Sequence, residues 1–451
     1  GITPAPQGAS LPHIKMKYYS TNHQVSPASL EEAVVRGLAA DRGLFMPERI
    51  PTLDRAFIDG MKHMTFHEIA LHVASAFFGD DMPQSDLRRI VEDTLAFDTP
   101  VVPVTDTVYS LELFHGPTLA FKDVGARFMA RMLGHFIARQ GASHEVNVLV
   151  ATSGDTGSAV ANGFLDVPGI RVFVLYPKGK VSAIQECQFT TLGRNITALE
   201  VDGVFDDCQA LVKSAFVDAD LNAHLQLTSA NSINVARFLP QAFYYFHAYA
   251  QMDRIGRAQR LVVSVPSGNF GNLTAGLIAH RMGLPVSHFI AANNRNDVFL
   301  DYLHTGVYRP RPSVATLANA MDVGDPSNFA RILDLFGGDH AAITALISGS
   351  RTTDEEIRAT LADVVRTHGY TPDPHGACGY HALMQRGLQP GETGVFLETA
   401  HPAKFLDTVE TATGHSVEIP ERLRAFMQGE KRSVPMARTF EAFKDYLLSQ
   451  A

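Results

Sequence analysis

From residue 146 onward the chain repeats one pattern: a short apolar run, a polar loop that usually contains glycine, then a stretch with helical spacing. Residues 146–151 form a run of the kind buried in a parallel sheet, followed by the loop Thr152-Ser153-Gly154-Asp155-Thr156-Gly157 and a helix-like segment at 158–164. The order recurs at 171–176, with the loop Pro177-Lys178-Gly179-Lys180 and a helix at 182–192, and again at 196–201 with a helix at 205–217. It returns at 261–265, where Pro266-Ser267-Gly268-Asn269-Phe270-Gly271-Asn272 leads into a helix at 273–282, and further strands follow at 286–291 and 394–400. Strands that alternate with helices pair in parallel, and open sheets of this kind bind ligands at the loops that follow the strands. A helical stretch at 235–251 separates two such sets. The chain therefore reads as α/β, with two open parallel-sheet lobes and a site between them.

The segment ahead of these lobes differs. Ser29 is placed to cap a helix with Glu32 closing a capping box, Thr65 opens a second helix over 66–78, and Ser85 a third that runs to Leu95. Residues 16–100 thus form a mainly helical N-terminal unit, ended by Pro100 and Pro103, and 108–113 alternate like a strand. The expected division is a smaller α/β lobe over 123–245, a larger lobe from 101–122 and 246–415, and a C-terminal helical extension over 416–451. Residues 1–15 are rich in Pro, Gly, Ala and Ser and precede a natural start at Met16, so they are expected to be a leader or an added remnant.

Charge and cysteine usage exclude several classes of partner. A formal net charge of −9 and a pI near 6.1 argue against nucleic acid or an anionic membrane surface, while leaving room for a local basic pocket. No stretch reaches the roughly 18 apolar residues of a membrane span, and no signal-peptide pattern opens the chain. Cys187, Cys208 and Cys378 show no ligand or CxxC spacing, which fits a reducing cytoplasm. The 19 histidines contain no HExxH, so no metal is expected, and the absence of GxSxG weakens a serine-hydrolase reading.

Chemistry concentrates around one lysine. Lys122 follows the turn-prone His115-Gly116-Pro117-Thr118 and stands at the head of a helical apolar pattern, Val124, Phe128, Met129 and Met132. Partial desolvation there would lower its pKa and suit the amine to a Schiff base with an aldehyde cofactor; a buried lysine paired with Asp123 is the structural alternative. The loop at 267–272 places free N–H groups at a helix start, where they favour a phosphate, though an ordinary tight turn has the same appearance. In the loop at 152–157, hydroxyls and N–H groups suit a substrate carboxylate, or Ser153 or Asp155 simply caps the helix. Arg237, following Asn231-Ser232-Ile233-Asn234, could clasp a phosphate or sit on the surface paired with a carboxylate. His115 and His401 lie in turns and are expected to be structural.

Gly43-Leu44-Phe45-Met46-Pro47, residues 113–123, 151–157, 229–234, 265–271 and 317–323, and Thr399-Ala400-His401-Pro402-Ala403-Lys404-Phe405 stand in this order along the chain. Together they resemble the threonine synthase family, bacterial and fungal branch, of fold type II pyridoxal-phosphate enzymes. The resemblance covers nearly everything from Met16. It implies pyridoxal 5'-phosphate as cofactor and O-phospho-L-homoserine as substrate, converted with water to L-threonine and phosphate by γ-elimination and β-addition of water. Lys122 matches the lysine that binds the cofactor. Gly268, Asn269, Phe270, Gly271 and Asn272 match its phosphate loop, and Thr399 matches the hydroxyl that faces its ring nitrogen. Thr152, Ser153, Asp155 and Thr156 resemble the substrate-carboxylate loop, and Lys180, Asn231, Ser232 and Arg237 are candidates for the substrate phosphate. No nucleic acid or membrane partner is implied, and the expected assembly is a monomer or homodimer. The rival readings are a serine or threonine dehydratase on the same fold, which needs no substrate-phosphate site, and a catalytically silent phospho-ligand binding homologue.

Overall fold

The computed structural model describes residues 15–141 and 145–451, so the expected leader lies outside the described residues except for Lys15. The alternating pattern builds two open sheets. The smaller has five parallel strands in the spatial order Val434–Ala437, Ile196–Asp202, Ile170–Pro177, Val146–Ala151 and Gln226–Ser229. The larger has six, ordered Ile347–Arg351, Val286–Asn293, Leu261–Pro266, Thr393–Glu398, Val108–Glu112 and Val101–Pro103, and only the last pair is antiparallel.

Burial explains why the central strands are largely apolar. Successive residues of a strand face opposite sides. Val148, Val150, Val172 and Val174 join the main core with the N-terminal helices and the helix Lys122–Gln140. Their neighbours Leu149, Ala151, Phe173 and Leu175 enter a second core with Leu211, Val212, Phe443 and Leu447. Both faces are covered, as parallel sheets require.

Two of the expected caps form in the N-terminal unit, the first without the return bond from Glu32 that would make a capping box. Ser29 Oγ accepts from Glu32 N at the start of Leu30–Arg36, and Thr65 does the same for Glu68 N at Phe66–Phe78. The third helix differs: it spans Gln84–Thr94 with Pro83 before it and no side-chain cap, so Ser85 lies inside it. A two-stranded antiparallel ribbon of Tyr18–Ser20 and Phe45–Pro47 accompanies these helices. The stretch expected at 235–251 is broken into Val235–Phe238, a 3₁₀ turn at Leu239–Gln241 and Ala242–Arg254. Pro240 is the cause, since it has no N–H to continue the ladder.

The C-terminal stretch is helical at Glu421–Met427 and Phe440–Ser449, but it also contributes the strand Val434–Ala437 to the edge of the smaller sheet. Four residues with a proline give no periodicity to read, and an edge position tolerates that proline. Two helices begin earlier than their apolar spacing suggests, at Asp155–Phe164 and Gly271–Arg281, which puts Asp155, Thr156, Gly271 and Asn272 in a first helical turn. Among the described residues no helix is long and apolar enough to cross a membrane, no group of His, Cys, Asp and Glu is placed to hold a metal, and the three cysteines are unpaired.

Candidate active site

The turn before Lys122 is fixed by Asp123. Its carboxylate accepts from Thr118 N at 2.9 Å and from Thr118 Oγ1 at 2.6 Å, and a Cβ at Gly116 would lie 2.6 Å from its Oδ2. Asp123 is therefore occupied with the turn and is not the partner of Lys122. Leu119 takes a left-handed conformation (φ 61°) to complete the reversal. The chain then runs against the end of the strand Thr393–Glu398: Ala120 bridges Ala400, Phe121 N donates to Thr399 O at 2.8 Å, and His401 N donates to Leu119 O at 3.0 Å. This stitching sets Thr399 beside Lys122, more than two hundred and fifty residues away in sequence.

Lys122 is the first residue of its helix, and its amine donates to Thr156 Oγ1 at 2.8 Å. Burial pushes its pKa down to about 8; the Asp155 carboxylate opposes that shift, while Arg237 and Lys404 reinforce it. An amine with this proton affinity is a nucleophile and a base near neutral pH, in accord with the desolvation expected from its neighbours.

The loop from Thr152 is built around Gly154. Its backbone stands at φ 148°, and a Cβ there would meet the Gln185 side chain at 2.5 Å. Thr152 Oγ1 accepts from Gly154 N at 2.9 Å and from Gly157 N at 2.8 Å, so this hydroxyl serves the loop itself. Gly154 occupies the cap position, in place of Ser153 or Asp155, and has no side chain to close the first turn of Asp155–Phe164. Thr152 closes the Gly157 N–H, and the helix start that remains at Asp155 and Thr156 suits a carboxylate. Ser153 is half-buried beside it. Asp155 is buried, ion-paired with Lys404 and bonded by Gln185 Nε2 at 3.3 Å. Burial alone would raise its pKa, but Lys404 and then Lys122 outweigh it and hold the carboxyl below its usual range.

At the other anion cradle, Phe270 adopts φ 68° and the helix Gly271–Arg281 starts without a side-chain cap. A Cβ on Gly268 would stand 2.6 Å from Ala320 O, and one on Gly271 would stand 3.2 Å from Ser232 Cβ. Asn269 holds the loop through its carbonyl, which accepts from Asn328 N at 3.1 Å. Asn272 Oδ1 accepts from Tyr245 OH at 2.7 Å, while its buried Nδ2 has no partner. Close backbone, an uncapped helix start and a lowered lysine pKa fit a cofactor that carries both an aldehyde and a phosphate.

The four candidates for the substrate phosphate separate. Ser232 lies beside Gly271, at the cradle just described. Asn231 Nδ2 donates to Ala151 O at 3.3 Å, at the end of Val146–Ala151 in the smaller sheet. Arg237 is buried, so the surface-arginine alternative does not hold; its Nη1 donates to Ala230 O, its Nε has no partner, and burial lowers its pKa to about 10. Lys180 is exposed on the loop after Ile170–Pro177, without a side-chain hydrogen bond or ion pair among the described residues. His115 pairs with Glu112 at 3.0 Å and His401 Nδ1 accepts from Ala403 N at 2.9 Å, both structural roles.

Several residues without an assigned role complete the site. Asn319 Nδ2 donates to Gln185 Oε1 at 3.4 Å, and Ala320 N donates to His375 Nε2 at 3.2 Å, with Asp373 on the other ring nitrogen at 2.5 Å. These contacts link the Asp155 helix to the segment that backs Gly268. Arg331 is buried in a cage of carbonyls from Phe45, Ser232 and Ile233 together with Asn328 Oδ1. Lys404 did have a signal in sequence: a lysine between Ala403 and Phe405 in a short apolar turn.

Comparison with known proteins agrees with this geometry. Residues 17–95 match the family model "Threonine synthase N terminus", 94–400 match "Pyridoxal-phosphate dependent enzyme" and 376–447 match "Threonine synthase, C-terminal". The chain is 47% identical to the threonine synthase of Escherichia coli strain K12, over 90% of this chain and 94% of that one. The crystal structure of threonine synthase from Escherichia coli superposes with a TM-score of 0.90 at 44% identity, covering 97% of this chain and all (100%) of that one. A threonine synthase from Brucella melitensis, solved with pyridoxal phosphate bound, gives a TM-score of 0.90 at 35% identity, covering 96% of this chain and 99% of that one. The chain belongs to the threonine synthase family of pyridoxal-phosphate-dependent enzymes.

Proposed function

We propose that the protein converts O-phospho-L-homoserine and water to L-threonine and phosphate, with Lys122 as the catalytic residue that moves the protons. The observation that carries this reading is Arg237: a buried guanidinium with an unpartnered Nε, close enough to Lys122 to lower its pKa. With the substrate carboxylate taken by the loop at 152–157, a phosphorylated substrate still has an anion for such a cation, whereas an unphosphorylated hydroxy-amino acid has none left.

Pyridoxal phosphate, when bound, withdraws electrons from the carbon chain of the attached amino acid and makes its Cα and Cβ protons acidic. Lys122 Nζ, with a pKa of about 8, is present in both protonation states near neutral pH. It can take the Cα proton and then a Cβ proton so that the γ carbon–oxygen bond breaks, return one to Cγ, and take a proton from the water that adds at Cβ before reprotonating Cα. Thr156 Oγ1, 2.8 Å from the amine, orients it. The N–H groups at the open start of Asp155–Phe164 take the substrate carboxylate, with Ser153 at their edge. Gly268 to Asn272 would hold the cofactor phosphate, with Ser232 beside them. Thr399 would supply a neutral hydroxyl to the ring nitrogen, which would leave that nitrogen less readily protonated than a carboxylate would. Arg237 stabilises the phosphate as it leaves.

The three cysteines, unpaired among the described residues, support a reducing compartment, the cytoplasm, and the assembly inferred is a monomer or a homodimer. The deciding assay measures phosphate release from O-phospho-L-homoserine against ketoacid formation from L-threonine. Phosphate release with L-threonine as product is expected, and ketoacid alone would make the protein a dehydratase. Arg237→Ala should lower kcat/KM for the phosphorylated substrate by about a hundredfold or more, as loss of a charge-stabilising donor does. An unchanged kcat/KM would remove Arg237 from the site.

A further inference from the structure

Lys404 and Asp155 form an ion pair between the two lobes. Lys404 lies in the 3₁₀ turn Pro402–Phe405, just past Thr393–Glu398 of the larger sheet, and Asp155 opens the helix after Val146–Ala151 of the smaller one. Their side chains are closed off from solvent, at 0% and 4% exposure. Lys404 Nζ also donates to Thr118 O at 2.9 Å, the carbonyl of the turn that leads into Lys122. Asp155 takes its second bond from Gln185. Lys122, although Asp155 acts on it, donates instead to Thr156.

A buried ion pair is often no more stabilising than apolar side chains of the same volume, so the place of this one calls for another explanation. The groups that act on Lys122 are Asp155, Arg237 and Lys404. Those that act on Asp155 are Lys404, Lys122 and His375. Lys404 is also faced by Asp123 from the Lys122 helix, by Cys187 from Ala183–Thr190 and by His401 from its own turn. Within this set Asp155 is the carboxylate that draws a proton toward Lys122, and Lys404 is the cation bonded to it.

We propose that Lys404 is a positioning residue that engages the Asp155 carboxylate and keeps it from capturing Lys122, so that joining the lobes leaves the Lys122 amine free to carry protons. This deepens the function proposed above and rests on Lys122 being the proton carrier. It gives shifts of opposite sign for the two partners. Without Lys404, Asp155 is left to Lys122 and raises its proton affinity. Without Asp155, Lys122 loses its proton more readily. Direct charge alone also gives opposite signs, but then Lys404→Met shifts Lys122 equally with or without Asp155; a positioning role needs the Asp155 carboxylate to be present.

The test uses cofactor-free protein and competitive acetylation of Lys122 by acetic anhydride across pH, read by mass spectrometry of the peptide that contains it. Lys404→Met should raise the labelling midpoint by about one pH unit or more, Asp155→Asn should lower it, and the double variant should stay close to Asp155→Asn, because Lys404 acts through that carboxylate. An unmoved or lowered midpoint in Lys404→Met overturns the proposal. If neither single variant folds, the double variant decides: it should fold, with a midpoint below that of the original protein. A double variant no more stable than the singles, or one whose midpoint stands at or above that of the original protein, overturns the proposal, as does a Lys404→Met shift of the same size with and without Asp155. Labelling needs no turnover, so its outcome is independent of whether O-phospho-L-homoserine is the substrate.

Discussion

Lys122 should leave its mark on stability as well as on chemistry. Its pKa stands at about 8 in the folded chain against 10.5 for an ordinary lysine. Between those values the unfolded chain binds a proton that the folded chain does not, so folding stability rises with pH through that window and the rise is complete above the unfolded value. Below the folded value the burial of this amine costs up to about 3 kcal/mol, at 1.36 kcal/mol per unit. Lys122→Met in cofactor-free protein should therefore raise the urea midpoint at neutral pH, and its advantage should shrink as pH climbs from about 8 toward the lysine range. An advantage that does not change with pH would mean that the amine is not desolvated. Much of this was legible locally, because a turn, an apolar face and one lysine within a dozen residues set the environment. Lys404 stood in a readable apolar turn, but its role was not legible, since its partner Asp155 lies some 250 residues away and only the meeting of the lobes supplies the charge. Arg237 stood between: a surface or a buried role was open in sequence, and only packing around Ala230 and Gly125 decides it.

At the scale of elements, the interior strands were visible and the edges were not. Val101–Pro103, Gln226–Ser229, Ile347–Arg351 and Val434–Ala437 escaped the periodicity, and these four are the outer strands of the two sheets. An outer strand has one neighbour and less burial, so it can be short, polar or interrupted by proline. Ile347-Ser348-Gly349-Ser350-Arg351 shows how little apolar character suffices. The junctions between elements were equally hidden, and Arg331 is the clearest of them. Its guanidinium bonds Phe45 O at 2.8 Å, Ile233 O at 2.6 Å and Asn328 Oδ1 at 2.8 Å, and stacks over the Phe238 ring at 4.0 Å. One side chain thus ties the N-terminal ribbon to the Ser232 loop and to the segment behind Asn269. Arg331→Met keeps the volume but leaves those buried carbonyls without donors, at about 1–3 kcal/mol for each. Loss of at least about 3 kcal/mol is expected, together with weaker cofactor affinity because Ser232 borders the phosphate cradle. A variant with unchanged thermal stability and cofactor affinity would show that the cage is incidental.

For the whole molecule, the C-terminal stretch is what closes the smaller lobe. Val434–Ala437 extends its sheet beside Ile196–Asp202, and Phe443 and Leu447, both 0% exposed, fill the core against Leu199, Val201 and Leu211. Upstream of that strand, Leu423 packs with Leu119 and Ala403 beneath the turn that presents Lys122, and Lys431 bridges Glu186 and Glu200 at 2.7 Å. The stretch therefore serves the site through two routes, the far face of the sheet and the floor of the turn. Ending the chain at residue 430 separates them, because it keeps Leu423 and removes the strand and the last helix. Three buried apolar side chains, Met436, Phe443 and Leu447, are lost from the second core, worth about 2 kcal/mol each. That sum is comparable with the roughly 5–15 kcal/mol that holds a domain folded, and the cut also bares the edge of Ile196–Asp202 for pairing with another chain. The shortened protein should melt at least about 10 °C lower or aggregate on size exclusion, while Phe443→Asp in the full chain should reproduce the lower melting temperature without touching Leu423. If the shortened protein stays monodisperse with its melting temperature intact, the last strand and helix are not part of the smaller lobe's core. Should it melt early yet still bind cofactor at low temperature, the floor of the Lys122 turn is sufficient for the site and the far face of the sheet contributes only stability.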